Sequence, residues 1–260
     1  MDTLTPRQQT ILNCVIMVHI ETAQPVSSRF VTEHARLNFS PATVRHEMGL
    51  LEERGYLTHP HTSSGRIPTD QGYRYYVDHD FKEVLLPSYF FDQVKDDLMD
   101  ASGEFSSFAE KVSGMLSSFS EQTGLVVCPD PPAEDFEKAS RRKLFLQGSA
   151  HMLEKPEFQD MEKLRSLFKT FEEKSKLMDW LAGKPGKVDV SISIGRENQP
   201  ESLWDCAVVS TRFTASGKNL GTLAIVGPKR MRYAHTVPLV RQMAVFIGQI
   251  LEQKEGDFVL

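Results

Sequence analysis

Apolar residues at helical spacing, separated by turn residues, divide the start of the chain into short helices. The pattern predicts helices over residues 6–21, about 28–34 and 41–54. Thr5 and Ser40, each followed by proline, are typical N-caps with proline in the first turn. Two apolar side chains of the second helix are expected to reach the core, Phe30 and Val31. Three short helices with tight joints indicate a helix-turn-helix.

A two-stranded hairpin is predicted directly after the third helix. Residues 56–59 and 66–69 have strand-like composition, and the residues between them favour a turn. Thr69 with Asp70 can cap a fourth helix. Three of its side chains would pack back onto the domain: Tyr73, Tyr76 and Val77. This order of helices and strands predicts a winged helix-turn-helix domain that closes near residue 80.

A regular apolar repeat follows between residues 91 and 119. Its members alternate at spacings of three and four, the period of a coiled-coil seam: Phe91, Val94, Leu98, Ala101, Phe105, Phe108, Val112, Met115 and Phe119. Two uses of such a helix stay open. It can lie on the C-terminal part of its own chain, or it can pair with a second subunit. In either case a long amphipathic helix connects the two halves of the molecule.

Beyond residue 124 the pattern alternates between strand-like and helical segments. Strands are predicted at 125–128, 188–193, 206–213 and 219–227, and helices at 156–181 and 234–253. The last helix has one apolar face, formed by Val240, Met243, Ile247, Ile250 and Leu251. The chain is therefore expected to be an α+β protein in which helices cover a sheet.

Composition narrows the classes of function. Of the 260 residues, 40% are hydrophobic, which is enough for a sizeable core, and the formal net charge is −5. Residues 1–80 contain seven arginines, no lysine and nine acidic residues. Proteins that coat nucleic acid non-specifically usually carry a large positive excess, so that class is disfavoured. Any DNA binding must come from a few well-placed arginines and hydroxyl groups.

Segments that the sequence lacks indicate the compartment. No apolar run reaches the ~20 residues of a membrane-spanning helix, and the first residues lack the basic and apolar regions of a signal peptide. We therefore expect a cytoplasmic protein without a membrane partner. Its three cysteines fit neither a disulfide framework nor the paired spacing of a zinc site, and we expect them to be reduced and mostly buried: Cys14, Cys128 and Cys206.

The third helix is the predicted DNA-reading element. At about 100° per residue, three apolar residues fall in one narrow arc and must face the core: Val44, Met48 and Leu51. The opposite arc and its flanks hold small or polar residues: Ala42, Thr43, Arg45, His46, Gly49 and Glu53. Small residues at 42 and 49 would let the helix sit deep in the major groove, where Arg45 and His46 reach base edges or phosphates. The alternative is an ordinary solvent-exposed face.

The loop of the hairpin supplies a second set of donors. Its hydroxyl groups and its arginine can bind phosphate oxygens or lie along a groove, although a plain turn would also use serine and glycine. His59 and His61 have no cysteine or carboxylate partner at ligand spacing, so we place them near phosphate rather than on a metal. Two residues of the second helix complete the predicted DNA-binding set: Ser28, Arg29, Thr43, Arg45, His46, His61, Thr62, Ser63, Ser64 and Arg66.

Catalytic motifs are absent from the sequence. It contains no glycine-rich phosphate loop followed by lysine, no Gly-x-Ser-x-Gly elbow and no His-Glu-x-x-His. Asp205 and Cys206 are adjacent but have no histidine near them in sequence. We therefore expect a protein that is not an enzyme, without catalytic residues, metal or cofactor. The basic cluster formed by Lys229, Arg230 and Arg232 is expected to be a solvated turn, and the alternative is an anion-binding site.

The stretch SPATVRHEMGLLEERGYLTHPHTSSGRIPTDQGYRYYVD (40–78) resembles the HrcA family of heat-inducible repressors, as do segments 144–158, 192–213 and 221–240. The resemblance implies a dimeric repressor that binds an inverted-repeat operator upstream of chaperone genes and releases it on heat shock. It implies that the GroEL chaperonin maintains the active form. It also implies a GAF-like C-terminal domain that contains an inserted dimerisation segment. By motif, the family's DNA-contacting elements correspond to Thr43, Arg45, His46 and residues 61–66.

Two departures from the family pattern change these expectations. His46 stands where the family usually has asparagine, which keeps the capacity for hydrogen bonds but changes their geometry. Only about fourteen residues separate 127 from 142, where the family places several strands and the insertion, so the chain is a shortened member. We expect a DNA-binding domain over 1–80, a connecting helix over 81–123 and a truncated GAF-like domain over 124–260. The alternative function is a ligand- or chaperone-sensing module with weakened DNA binding.

Overall fold

The computed structural model describes residues 4–34, 39–60, 65–87, 94–95, 98, 105–130, 136, 139, 141–183 and 190–253. These residues form helices and antiparallel sheets, which confirms the α+β fold class. The chain divides into two compact units: Met1–Lys82 with Lys229–Arg232, and Glu83–Pro228 with Tyr233–Leu260. Residues 81–87 are not helical, so the predicted connecting helix does not begin at residue 81, and helix Phe105–Ser120 belongs to the second unit.

The first unit is built from helices and a short hairpin. Its helices are α1 (Pro6–Thr22), α2 (Ser28–His34), α3 (Pro41–Glu53) and α4 (Asp70–His79), and its antiparallel strands are β1 (Leu57–Thr58) and β2 (Ile67–Pro68). Caps determine where the helices begin. Thr5 forms a capping box with Gln8, and Ser40 Oγ accepts the N–H of Thr43 at 3.2 Å. These helices and the hairpin confirm the elements predicted for this part of the chain.

The second helix contributes less to the core than its sequence indicates. Val31 is fully buried, whereas Phe30 is 42% exposed and stacks on His34 with ring centroids 5.1 Å apart. Adjacent residues of a helix project about 100° apart, so a helix of two turns directs only one of them at the core. The predicted core contact of Phe30 is wrong. The three side chains predicted to pack from α4 are buried as expected: Tyr73, Tyr76 and Val77.

The second unit contains a five-stranded antiparallel sheet. Its strands are β3 (Thr123–Pro129), β4 (Arg142–Gln147), β5 (Ser191–Ile194), β6 (Cys206–Ala215) and β7 (Lys218–Pro228), in the order β4-β3-β7-β6-β5. The helices that the structure describes in full are α5 (Phe105–Ser120), α6 (Met161–Glu172), α7 (Lys174–Ala182) and α8 (Tyr233–Gln253). Four predicted strands are confirmed and β4 was not predicted. The predicted helix 156–181 is divided at Glu173, whose ψ of 58° leaves the helical range.

Helices cover both faces of this sheet. Side chains alternate across a strand, and Leu125 and Val127 of β3 join a core that contains residues of α6 and α7. Val126 and Cys128 point the other way and are equally buried, at 1% exposure each. On that side α5 packs against β3 and α8 packs against β6. Such two-sided burial explains why β3 is apolar along its length rather than alternating.

The apolar repeat predicted over residues 91–119 is only partly described, and Phe91 and Ala101 lie outside the described residues. Within α5, Phe105, Phe108 and Val112 are buried, which favours a helix that lies on its own chain. The predicted core positions at the end of the repeat are wrong: Phe119 is 42% exposed, and Leu116 is buried in place of its neighbour Met115. A straight helix drifts ~20° per heptad away from a 3.5-residue repeat. The buried positions of α5 therefore follow the 3.6-residue period of a straight helix and not the 3.5-residue period of a heptad repeat.

Candidate nucleic-acid interface

Helix α3 turns one face to the core and the opposite face to solvent. Val44, Met48 and Leu51 are at most 3% exposed, which confirms the predicted core arc. Arg45 and His46 lie on the exposed side of the same helix. The residues predicted to read bases are therefore accessible.

Small and capped residues shape the first turns of this exposed face. Ala42 is exposed, and no described atom lies within 4 Å of the position that a Cβ would take at Gly49. Thr43 is half-buried, and its Oγ1 lies 3.0 Å from Ser40 Oγ. The Thr43 hydroxyl therefore belongs partly to the helix cap, while positions 42 and 49 leave room for a close neighbour.

A buried carboxylate that sequence reasoning missed anchors α3 to α1. Glu47 is 7% exposed, its Oε2 accepts a hydrogen bond from Gln8 Nε2 at 3.1 Å, and its Oε1 lies 3.2 Å from Arg7 Nε. Arg54, the C-cap of α3, donates to Gln8 Oε1 at 3.4 Å. Because Glu47 directly follows Arg45 and His46, this network fixes the rotation of the exposed face about the helix axis. No local pattern indicates a partner that lies 39 residues away.

Most arginines of the first unit already have acceptors within it. The pairs are Arg7 with Glu47, Arg29 with Glu33, Arg54 with Gln8, Arg66 with Glu52 and Arg74 with Asp78. Arg45 differs: among the described residues its guanidinium has neither an ion pair nor a hydrogen-bond acceptor. Guanidinium groups bind base edges and phosphates bidentately. Arg45 is thus the cationic group best placed to bind an added ligand.

The structure places Ser28 and Arg29 in the first turn of α2. Arg29 Nε lies 2.9 Å from Glu33 Oε1, and both side chains are strongly exposed. The hydrogen bond with Glu33 raises the pKa of Arg29. Ion pairs in water are weak, so Arg29 can exchange Glu33 for a phosphate at little cost.

The loop of the hairpin lies outside the described residues, and with it the predicted site residues His61, Thr62, Ser63 and Ser64. The structure describes the two ends of the loop. Arg66 Nε lies 2.7 Å from Glu52 Oε2, and Glu52 Oε1 contacts Nδ1 of His59. Sequence spacing missed this carboxylate, because Glu52 stands on α3 and not in the hairpin.

The described part of the chain gives little support for metal binding or for a reactive cysteine. No group of three or more histidine, cysteine or acidic side chains there could hold a metal ion. None of the helices described is long and apolar enough to cross a membrane. The three cysteines are free and buried, as predicted, and burial raises the pKa of Cys128 to about 12. Its thiol is therefore neutral and a poor nucleophile near neutral pH.

The basic cluster at 229–232 belongs to the first unit. Lys229 Nζ lies 2.8 Å from Asp70 Oδ1, and Arg230 Nη1 donates to the carbonyl oxygen of Ile20 at 3.2 Å. The prediction of a solvated turn is wrong for these two residues. Both side chains make contacts that stabilise the unit.

Residues 132–237 match a family model described as the HrcA protein C terminal domain. The heat-inducible transcription repressor HrcA of Shouchella clausii is 27% identical over 334 aligned positions, which cover 93% of this chain and 96% of the relative. The protein of the same name from Geobacter sulfurreducens is 27% identical over 340 positions, which cover 97% of this chain and 99% of the relative. These relatives are named for repression of transcription, which is not an enzymatic role.

Two further findings concern fold and length. A crystal structure described as that of a hypothetical protein covers 96% of this chain and 99% of its own, with a TM-score of 0.75 and 19% identity, and so shows the fold alone. The alignment with the Shouchella clausii relative has 334 positions against 260 residues here, so at least 74 positions lie opposite gaps in this chain. This confirms the prediction of a shortened member.

Proposed function

We propose that the chain is a transcription repressor of the HrcA family that binds duplex DNA through α3 and the β1–β2 hairpin. In this proposal the first unit is a winged helix-turn-helix in which α2 and α3 form the motif and the hairpin is the wing. The observation that carries the proposal is Arg45, which is exposed on α3 and has no acceptor among the described residues.

The proposed contacts divide between bases and phosphates. Arg45 and His46 reach base edges in the major groove, helped by the open space at Ala42 and Gly49. Phosphate contacts come from the first turn of α2, from Thr43 and from the wing: Ser28, Arg29, Thr43, His61, Thr62, Ser63, Ser64 and Arg66. Because few of these groups are charged, we expect specific binding with a modest dependence on salt.

The proposed active form is a homodimer on an inverted repeat. One winged helix reads each half-site, and the half-sites are spaced by one or more DNA turns of ~34 Å. The second unit is proposed to be a truncated GAF-like domain that carries the contact between subunits. Two apolar side chains of its helices are partly exposed to solvent, Phe119 at 42% and Val245 at 59%.

Regulation and location follow from the resemblance. We propose that the repressed genes encode chaperones, that heat releases the repressor, and that a GroEL-type chaperonin maintains the active form. A repressor of transcription works where the chromosome is, so we propose a cytoplasmic location. Purified chaperonin should raise the fraction of repressor that is competent to bind DNA, as measured by titration with duplex.

Selection from a random pool of duplexes tests the DNA-binding function and identifies the operator in the same experiment. The purified chain should enrich an inverted repeat whose half-site centres lie one or more helical turns apart. Affinity for the selected duplex should exceed affinity for a scrambled duplex of equal length at every salt concentration. Enrichment of no common sequence, or equal affinity for both duplexes, would contradict the proposal.

A further inference from the structure

One carboxylate on the proposed recognition helix holds both ends of the wing loop. Glu52 Oε1 contacts Nδ1 of His59, at the end of β1, and Glu52 Oε2 lies 2.7 Å from Nε of Arg66, just before β2. All three side chains are partly exposed, with Arg66 at 24%, Glu52 at 25% and His59 at 36%. The group is therefore a surface cluster that joins α3 to both strands of the hairpin.

The backbone of Arg66 is fixed independently of this cluster. Its N–H donates to the carbonyl oxygen of Val26 at 2.9 Å, and its carbonyl oxygen accepts the N–H of Val26 at 2.9 Å. The backbone of the neighbouring Gly65 lies so close to Val26 that a Cβ at position 65 would be 2.5 Å from the Val26 carbonyl. Arg66 is consequently fixed at its backbone by Val26 and at its Nε by Glu52.

The donors that remain point to the role of the cluster. A guanidinium has N–H groups on Nε and on both Nη atoms, and among the described residues only Nε lies at ion-pair distance from an acceptor, the Glu52 carboxylate. His59 meets Glu52 through Nδ1 and so holds the same carboxylate from the other strand of the hairpin. Holding a mobile arginine in one conformation costs side-chain entropy. An arginine held in place before binding avoids most of that cost.

We propose that Glu52 is a positioning residue that sets the wing at a fixed offset from the recognition helix and presents the free donors of Arg66 to backbone phosphates. This inference rests on the proposed function. The ligand of the cluster is the sugar-phosphate backbone next to the bases that α3 reads. Glu52 thereby couples base reading to wing contact, although it touches no DNA itself.

The test compares Glu52→Gln with Glu53→Gln. Both variants remove one negative charge from the end of α3, but Glu53 is exposed and has no partner among the described residues. On the selected inverted-repeat duplex, Glu52→Gln should bind about tenfold more weakly than Glu53→Gln, through loss of one charge-assisted contact. For Glu52→Gln, the slope of log affinity against log salt concentration should be smaller in magnitude than the wild-type slope by about 1. Glu53→Gln should keep the wild-type slope.

Two further variants separate positioning from folding. In an Arg66→Ala background, Glu52→Gln and Glu53→Gln should bind equally well, because Glu52 then has no arginine to position. Arg66→Lys keeps the charge but replaces the planar guanidinium with a compact ammonium group that has no Nη donors, and it should bind at least fivefold more weakly than the wild type. A general loss of folding in Glu52→Gln would persist in the Arg66→Ala background and would overturn the proposal.

Three results would overturn the positioning role of Glu52. Equal affinity of Glu52→Gln and Glu53→Gln overturns the positioning role while the wild type still discriminates between duplexes. Tighter binding and a steeper salt slope in Glu52→Gln would mean that Glu52 screens Arg66 instead, and would also overturn it. A wild type that does not distinguish the inverted repeat from scrambled DNA overturns the proposed function together with this inference.

Discussion

Glu47 places a carboxylate inside the first unit, where a charge is costly unless it is paired and hydrogen-bonded. Gln8 and Arg7 supply those partners from α1. Glu47→Ala should lower the free energy of unfolding by ~1–3 kcal/mol, because it leaves buried Gln8 without its acceptor. Glu47→Gln should cost less, since the amide oxygen still accepts from Gln8. Urea titration of both variants measures the difference, and an alanine variant as stable as the wild type would contradict the assigned role.

Residues whose role is decided by near neighbours were predictable from the sequence. Ser40 caps α3 and Val44 faces the core because the cap and the helical period each involve only a few positions. Glu47, Glu52 and their partners belong to different elements, so no periodicity connects them. The sequence therefore predicts which face of α3 is exposed, but not the carboxylates that hold that face in place.

At the scale of elements, two helical glycines allow DNA binding to be separated from stability. Neither Gly49 in α3 nor Gly114 in α5 has a described atom within 4 Å of a Cβ position. Alanine at either position should therefore raise the free energy of unfolding by ~0.5–1 kcal/mol, through higher helix propensity. Only Gly49→Ala should weaken binding to the selected duplex, because its methyl group would enter the groove-facing side of α3.

Thermal unfolding and duplex titration of the two glycine variants check this expectation. Gly114→Ala is the control, since it makes the same substitution in a helix of the second unit. If Gly49→Ala binds DNA as the wild type does, α3 does not approach the groove through positions 42 and 49.

Helix α5 offers a second matched pair. Phe108 is 1% exposed and Phe119 is 42% exposed on the same helix. Phe108→Glu should destabilise the second unit by ~3 kcal/mol or more, because it buries an unpaired charge. Phe119→Glu should leave the unit folded but lower the dimer content in sedimentation, if the exposed side of α5 contacts a second subunit. Equal stability of the two variants would contradict the assigned packing of α5.

Elements were predictable where their signals are strong and local. Strands β3, β6 and β7 have long apolar runs, and α8 has a clear apolar face. Strand β4 begins with Arg142 and Lys143 and lies at the edge of the sheet, so its half-exposed residues do not alternate clearly. The division at Glu173 has no glycine or proline to mark it, and the two helices that it separates pack on one core.

For the whole molecule, the shortened sequence restricts where two copies can meet. The apolar face of α8 is used within its own unit, where Met243 and Ile247 are at most 1% exposed. Phe105 and Phe108 are likewise buried against the unit's own sheet. A dimer contact on these helices must therefore use their outer sides. The sequence alone did not distinguish these possibilities, because an apolar stripe has the same pattern whether its own chain or a second subunit covers it.

Arg45→Ala, titrated with the selected inverted repeat and with a scrambled duplex, tests the central claim most directly. Arg74→Ala is the control, because it removes the same charge from α4, where Arg74 pairs with Asp78. Arg45→Ala should lose ~1–3 kcal/mol of binding free energy on the inverted repeat and less on scrambled DNA, so that specificity falls. Arg74→Ala should keep the wild-type ratio of the two affinities. An Arg45→Ala variant that discriminates between the duplexes as well as the wild type does would contradict the account.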